Sequence, residues 1–471
     1  MDTPKSIAET QNGLLARKFS AVELVDSYLK TIAENKDMKA YITISDERAY
    51  QDAKKVDKLI ADLGKKAFLE FPLLGVTVSH KDLFLTKGIR TTAGSKVLDN
   101  YIPQYSATVV KKLEDSGTIL IGKTNCDAWA HGASGENSDY GPTKNPYHKE
   151  YVPGGSSSGS AVAVAKDMTL ISTGTDTGGS IRQPANFCGV IGFKPTYGAV
   201  SRYGIIAMAS SLDSVGHFAK RVEDIEKVFQ VTRGEDRKDA TVKNFQFPLR
   251  LRSGRAISNS QKNTKKITIG IPKEYFIEGI DKEVAKNVLD AAKVFENMGI
   301  NLKEVSLPHT KYAISVYYIV QSAEVSSNLA RYDGIRYGSD RHSFGEEAKR
   351  RIMLGTYVLS AGYYDAYYLK AMQVRSKIIQ DFDEAFERVD AILAPVCPTP
   401  PFKMGEKAGN PLQMYLADIL TVAANLAGIP GLAMPFNFSK AGLPLGFQLL
   451  GKRFSEETLF NLGKSFAEQT T

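Results

Sequence analysis

Residues 154–180 read Gly-Gly-Ser-Ser-Ser-Gly-Ser-Ala-Val-Ala-Val-Ala-Lys-Asp-Met-Thr-Leu-Ile-Ser-Thr-Gly-Thr-Asp-Thr-Gly-Gly-Ser, two serine- and glycine-rich clusters separated by an apolar segment. Lys81 lies upstream, at the end of another apolar run. Two serine hydroxyls and one lysine amine can form a proton relay that makes a hydroxyl nucleophilic without a histidine. Consecutive glycines before a serine leave backbone N–H groups free to hold a developing oxyanion. The pattern therefore predicts acyl transfer chemistry on an amide.

Each of the three side chains has a chemical role and a competing structural one. Ser180 follows two glycines and precedes a predicted short helix, so it can be a nucleophile or simply a helix cap. Ser156 can accept a proton from Ser180 and pass it on, because a hydroxyl both accepts and donates. Lys81 can be the base if burial keeps it neutral, or a surface lysine beside Asp82.

Three other kinds of site fit the sequence less well. Residues 155–159 match the G-x-S-x-G nucleophile elbow, which would make Ser157 the attacking group, but none of the six histidines has the context of a triad base. A phosphate-binding loop is disfavoured because no Gly-Lys-Ser/Thr follows the glycines. No cluster of His, Cys or carboxylate residues has the spacing of a metal site.

Composition places the chain among soluble globular proteins. Its 471 residues are 43% hydrophobic, which allows a substantial core. No N-terminal apolar signal region and no membrane-length apolar run is found. The three cysteines, Cys126, Cys188 and Cys397, lie far apart, which indicates reduced packing residues in a cytoplasmic protein.

The net charge of +8 is concentrated in one stretch. Residues 240–273 contain eight Lys and Arg and no acidic residue. Their loop-like composition predicts a basic insertion over about 240–266. The stretch is either a solvated insertion or a contact for RNA phosphates, which basic clusters bind without sequence preference.

Short β-branched runs alternate with amphipathic helices along most of the chain. Ser20 and Glu23 predict a capping box before a helix. Runs at 75–78, 118–121, 267–271 and 391–394 predict buried strands, and the apolar spacing from Val284 to Phe295 predicts a helix. We therefore expect an α/β fold in a single domain, 1–471, with an N-terminal helical segment of about 1–65. Its large mixed, mostly parallel sheet would be covered by helices on both faces.

The serine and lysine spacings carry a family resemblance. Ser156 lies 75 residues after Lys81 and 24 before Ser180, as in the Ser–cis-Ser–Lys triad of the amidase signature family, which the chain resembles over nearly its whole length. The resemblance implies Lys81 as base, Ser156 as relay and Ser180 as acyl-ester nucleophile. It also implies an oxyanion hole formed by the N–H groups of Thr177, Gly178, Gly179 and Ser180.

Further motifs resemble one branch of that family, the glutamyl-tRNA(Gln)/aspartyl-tRNA(Asn) amidotransferases. They are Gly-Lys-Thr-Asn at 122–125, Gly-Pro-Thr-Lys-Asn-Pro at 141–146, Lys-Pro-Thr-Tyr-Gly at 194–198 and Asn-Leu-Ala-Gly at 425–428. The resemblance implies a subunit that hydrolyses free glutamine and supplies ammonia for converting Glu-tRNA(Gln) to Gln-tRNA(Gln). It implies B and C partner subunits in a heterotrimer, no cofactor in this chain, and ATP and Mg used on the B subunit.

A zwitterionic donor needs one cation for its α-carboxylate and one anion for its α-ammonium. The resemblance implies Arg351 for the carboxylate, Asp418 for the ammonium, and Tyr317, beside Tyr318, as a pocket residue. It also marks a departure, because His131 stands where the branch usually has methionine. Two alternatives stay open: a stand-alone amidase acting on another carboxamide, and a catalytically silent scaffold of an RNA-modifying complex.

Overall fold

Local sequence signals account for several of the observed elements. The computed structural model describes residues 3–242, 267–276, 278–332 and 339–470. The Ser20–Glu23 capping box is present at the start of the second helix, where each side chain bonds the other residue's backbone N–H. The predicted helix around Val284 is also confirmed, and its apolar positions face the core. The predicted strands are present as well, within two residues of the expected starts.

Eleven strands form one sheet in the described residues. They are β1 Tyr41–Ile44, β2 Thr77–Lys81, β3 Ile119–Thr124, β4 Ile171–Asp176, β5 Ile191–Lys194, β6 Ser214–Ala219, β7 Thr268–Pro272, β8 Asn301–Val305, β9 Ala391–Ala394, β10 Gly431–Phe438 and β11 Pro444–Gly451.

Fifteen α-helices accompany the sheet in the same residues. They are α1 Ile7–Leu15, α2 Ala21–Glu34, α3 Asp46–Leu63, α4 Ala67–Glu70, α5 Thr108–Asp115, α6 Ser158–Ala165, α7 Arg182–Cys188, α8 Val222–Thr232, α9 Lys282–Asn297, α10 Ala313–Leu329, α11 Glu346–Val358, α12 Lys370–Ala385, α13 Pro411–Tyr415, α14 Val422–Ala427 and α15 Glu456–Thr470.

The sheet is mixed, as expected, but the prediction that it is mostly parallel is wrong. Its order is β1-β3-β2-β4-β6-β5-β10-β11-β9-β7-β8, and six of the ten pairings within the described residues are antiparallel. The error has a physical cause. Antiparallel strands such as β6 and β11 are buried at every position, so both faces of the sheet are covered. Continuous apolar burial, which usually marks parallel strands, therefore does not distinguish the two directions here.

Three neighbouring strands run in the same direction and bring the key residues to one edge. β2 pairs parallel with both β3 and β4. The carboxyl ends of parallel strands meet at the same sheet edge, where α/β proteins bind ligands. Lys81 ends β2, and β4 ends at Asp176, just before the second glycine cluster. Lys81, which follows the strand predicted at 75–78, thus lies at the end of an observed strand.

The N-terminal segment is not purely helical. β1 lies between α2 and α3 and pairs antiparallel with β3, so this segment contributes to the sheet. Most of the predicted basic insertion, residues 243–266, lies outside the described residues. Among those that are described, no helix has the length and apolarity to cross a membrane.

Candidate active site

Lys81 is fully buried and contacts two hydroxyl groups. Its Nζ is 2.8 Å from Ser156 Oγ and 2.8 Å from Thr175 Oγ1. Burial lowers the pKa of Lys81 to about 8, and neighbouring acidic groups, Cys126 and Asp127 foremost, partly offset that effect. The amine can therefore lose its proton near neutral pH. Thr175, which sequence reasoning missed, holds the amine together with Ser156.

Ser156 lies in a backbone segment that neighbouring residues hold from both sides. The Gly155–Ser156 peptide bond is cis. The Gly155 N–H donates to Gln183 Oε1 at 2.9 Å, and the Asp127 N–H donates to the Ser156 carbonyl at 3.2 Å. These bonds fix the position of the Ser156 hydroxyl beside Lys81.

The fold brings the two serine clusters together. The Ser157 N–H donates to the Ser180 carbonyl at 3.3 Å, which ties the first cluster to the loop after β4. Ser180 is 9% exposed. Within the described residues its hydroxyl makes no hydrogen bond, and none joins it to Ser156 Oγ. The Ser180 hydroxyl is therefore available to contact a ligand.

The loop before Ser180 offers backbone N–H groups. Gly179 already donates to Asp176 Oδ1 at 2.8 Å. In the part of the chain that the structure describes, the N–H groups of Thr177, Gly178 and Ser180 have no such acceptor. The loop needs glycine at position 178, because an added Cβ would lie 2.6 Å from Tyr317 Cζ and Oη. Three of the four predicted oxyanion donors are thus unengaged, and Tyr317 packs directly against this loop.

A buried ion pair stabilises the loop before Ser180. Asp176 and Arg182 pair at 3.1 Å with both side chains fully buried, and Asn425 bonds to both. Burial alone would raise the pKa of Asp176, but the charge and hydrogen bonds of Arg182 outweigh it and hold the pKa well below its usual range. Asp176 stays ionised and also accepts N–H bonds from Gly179 and Ile181. The sequence did not reveal this pair.

Arg351, on α11, is positioned by aromatic and acidic neighbours. Its Nε donates to Glu347 Oε1 at 2.7 Å, and its guanidinium lies 5.2 Å from the ring centre of Tyr318 and 5.6 Å from that of Tyr415. No hydrogen bond links its terminal nitrogens to any other described residue. A guanidinium with free terminal nitrogens can bind a carboxylate through two parallel hydrogen bonds.

Asp418 lies close to Arg351 and is linked to the Ser180 loop. Its Oδ2 is 3.5 Å from Tyr318 Oη, and burial raises the pKa of Asp418 to about 8 against the opposing effect of Arg351. Thr421 donates its N–H to the Asp418 carbonyl at 3.0 Å and its hydroxyl to the Gly178 carbonyl at 2.5 Å. Tyr318 contacts both Arg351 and Asp418, and its neighbour Tyr317 lies at the Gly178 loop.

A cavity of about 270 Å³ opens beside Arg351 and Tyr318. Its lining includes Arg351, Tyr318, Tyr415 and residues 131–134. Within the described residues, no three His, Cys, Asp or Glu side chains are grouped as they would be to hold a metal ion. Arg351 and Tyr318 line this cavity, whereas Asp418 and Ser180 do not belong to its described lining. Tyr318 connects the cavity to Asp418, and Thr421 connects Asp418 to the loop before Ser180. The arginine and the tyrosine can bind the carboxylate of a small ligand.

Comparison with known proteins establishes the family. The family model described as Amidase matches residues 23–460. The chain belongs to the amidase family. An amidase-family relative from Carboxydothermus hydrogenoformans, named as the A subunit of glutamyl-tRNA(Gln) amidotransferase, is 50% identical over 484 residues, covering 99% of this chain and 97% of the relative.

Two solved amidase structures share the fold. The A subunit of glutamyl-tRNA(Gln) amidotransferase from Thermotoga maritima is 40% identical, with a TM-score of 0.77 over 93% of this chain and 90% of that one. The native peptide amidase of Stenotrophomonas maltophilia is 27% identical, with a TM-score of 0.81 over 99% and 96%. The single amidase domain with a mixed α/β architecture is therefore confirmed.

Proposed function

We propose that this chain is the glutamine-hydrolysing subunit of a glutamyl-tRNA(Gln) amidotransferase. The observation that carries the proposal is the 2.8 Å contact between buried Lys81 and Ser156, in the segment that bonds to Ser180. Arg351 and Asp418, both next to Tyr318, are available for the two ends of a zwitterion. The name of the Carboxydothermus relative supports the same activity.

In the proposed reaction, Ser180 Oγ attacks the glutamine carboxamide carbon. Its proton passes to Ser156, whose own proton passes to neutral Lys81. The N–H groups of Thr177, Gly178 and Ser180 stabilise the tetrahedral oxyanion, and each such donor contributes roughly 3 kcal/mol. The Gly179 N–H, bonded to Asp176, supports the loop instead. The relay returns a proton to the leaving nitrogen, ammonia departs, and an ester joins Ser180 to the γ-carbonyl. Water then attacks this ester through the same relay and releases glutamate.

Substrate orientation in this proposal depends on two charges and one ring. The terminal nitrogens of Arg351 bind the α-carboxylate, and Asp418 binds the α-ammonium. An incoming ammonium favours the ionised carboxylate, so it lowers the raised pKa of Asp418 on binding. Tyr317 packs against the Gly178 loop, where the side-chain amide lies in this proposal.

The proposed complex supplies the remaining chemistry. We assign the ammonia to a B subunit that uses ATP and Mg to activate Glu-tRNA(Gln), with a C subunit bracing the pair, in the cytoplasm. The chain itself needs no cofactor for the serine chemistry described above. The relatives of this chain are named as A subunits, and this name implies an amidotransferase with several subunits.

A stand-alone amidase is the second candidate, because the peptide amidase of Stenotrophomonas shares this fold closely. Ammonia release from glutamine, measured for the chain alone and with co-expressed partner subunits, separates the two. Preference for glutamine and dependence on partners support the amidotransferase, whereas equal turnover of varied amides by the chain alone supports the amidase.

Replacing Ser180 tests both enzyme proposals against a scaffold. The Ser180→Ala variant should lose ammonia release while its complex still forms Gln-tRNA(Gln) from added ammonium. If the variant complex kept full activity with glutamine as donor, both enzyme proposals would be rejected and the scaffold alternative would be supported.

A further inference from the structure

His131 is a buried side chain whose ring nitrogens have no partner in the described part of the chain. It is fully buried, and neither Nδ1 nor Nε2 has a hydrogen-bond partner among the described residues. The other two fully buried histidines each keep one bond: His80 to Thr173 at 3.2 Å and His217 to Thr232 at 2.8 Å. A buried polar group without a partner is costly, so its presence requires an explanation.

The surroundings of His131 indicate what could bind to it. It belongs to the lining of the 270 Å³ cavity, as do Arg351 and Tyr318. Burial, together with the nearby charge of Arg351, lowers the pKa of His131 well below its usual value. The ring is therefore neutral, with one N–H donor and one nitrogen acceptor. A neutral donor can lie close to a guanidinium without charge repulsion.

The backbone holds His131 in place independently of its ring. The Asn137 side-chain amide donates to the His131 carbonyl at 2.7 Å. Asp127 accepts the N–H groups of Gly135 and Asn137 at 3.1 and 2.8 Å, which closes the loop on itself. Replacing the imidazole therefore leaves the bonds that shape this loop intact.

We infer that the His131 ring N–H is a second donor to the substrate α-carboxylate that Arg351 binds. This inference rests on the proposed function and adds a specificity residue to it. A carboxylate has about four acceptor positions, and a bidentate guanidinium fills only two of them. The His131 N–H, in the lining of the same cavity, fills a third.

The test compares two variants on two substrates, with the enzyme purified together with its partner subunits. His131→Met removes the ring nitrogens and retains a flexible apolar side chain that can fill the space. His131→Gln retains an N–H donor. The substrates are glutamine and 4-aminobutyramide, which is glutamine without its carboxylate. Ammonia release gives kcat/KM for each.

We expect His131→Met to lower kcat/KM for glutamine about 10- to 100-fold and that for 4-aminobutyramide less than about twofold, whereas His131→Gln retains most of the glutamine activity. The melting temperature of the Met variant should be equal or higher, because an unpaired buried polar group has been removed. A role confined to structure predicts the reverse, a lower melting temperature and equal losses on both substrates.

The outcomes separate this inference from the proposed function. Equal kcat/KM for glutamine in the wild type and His131→Met, or equal losses on both substrates, overturns the inference alone. A wild-type complex that releases no ammonia from glutamine overturns the proposed function and the inference with it. Glutamine binding to Ser180→Ala, measured by calorimetry with and without His131→Met, gives a readout that does not depend on turnover, and an unchanged Kd also rejects the role of His131.

Discussion

Two groups in the proposed site must lose a proton before glutamine can react. Burial holds the pKa of Lys81 at about 8 and raises the pKa of Asp418 to about 8. Below that pH the lysine is charged and cannot accept a proton, and the carboxyl is neutral and binds an ammonium weakly. The deprotonated fraction of each group becomes smaller as pH falls. We therefore expect kcat/KM for glutamine to be proportional to the product of these two fractions.

The size of this effect follows from the two values. At about pH 7 each group is deprotonated in roughly one molecule in ten. Between about pH 6 and 7, kcat/KM for glutamine should therefore rise about 100-fold, since kcat/KM reports groups of the free enzyme. In Asp418→Asn one titration disappears, and the same interval should give about a 10-fold rise. The variant should also be about 100-fold less active at pH 8, because a close charge pair is lost.

The assay is initial ammonia release from glutamine at concentrations far below KM, across that pH range. 4-Carbamoylbutyrate, which is glutamine without its amino group, is the matched control substrate. It should give the 10-fold dependence even with the wild type, because it has no ammonium for Asp418 to bind. A 10-fold dependence for glutamine with both enzymes would reject the role of Asp418. A rate that rises with falling pH would contradict a neutral Lys81 as base.

Three further substitutions test separate parts of the site. Lys81→Arg should lower kcat about 1000-fold or more at every pH in the same assay, because a guanidinium stays protonated; substantial activity at pH 9 would exclude Lys81 as the base. Arg351→Lys keeps the charge but loses the two-pronged contact, so KM for glutamine should rise about 10-fold while use of added ammonium is unchanged, and equal losses with both donors would disprove its role. Gly178→Ala should reduce kcat/KM about 10- to 100-fold because the new methyl meets Tyr317 at 2.6 Å. Gly409→Ala, with no atom within 4 Å of the added Cβ, is its control, and similar activity of the two variants would show that the loop tolerates the shift.

The sequence predicted features that depend on local pattern. Lys81 could be placed at a strand end because an apolar β-branched run stops there, and the second helix could be placed by its capping box. The two glycine clusters also identified the backbone segments that meet in the fold. In each case the relevant contacts involve residues close in the chain, or strand ends that α/β folds bring to one edge.

Features that depend on distant packing could not be predicted. Tyr317 and Tyr318 are neighbours on α10 and therefore face different directions, and only the packing of α10 determines that Tyr318 lies against Arg351. The Asp176–Asn425 hydrogen bond joins residues 249 positions apart. Strand direction was wrong for a related reason, since burial on both faces depends on the helices that cover the sheet rather than on the strand itself.

Thr421 fixes the spacing between the Gly178 loop and the segment that carries Asp418. Its hydroxyl and N–H connect the Gly178 carbonyl to the Asp418 carbonyl, so the segment expected to hold the amino end of a substrate cannot shift independently of the loop that faces its carboxamide. A donor one methylene shorter, such as asparagine, could reach one end of this span but not both. Discrimination between the two amino acid amides would then come from spacing, without any group that repels asparagine.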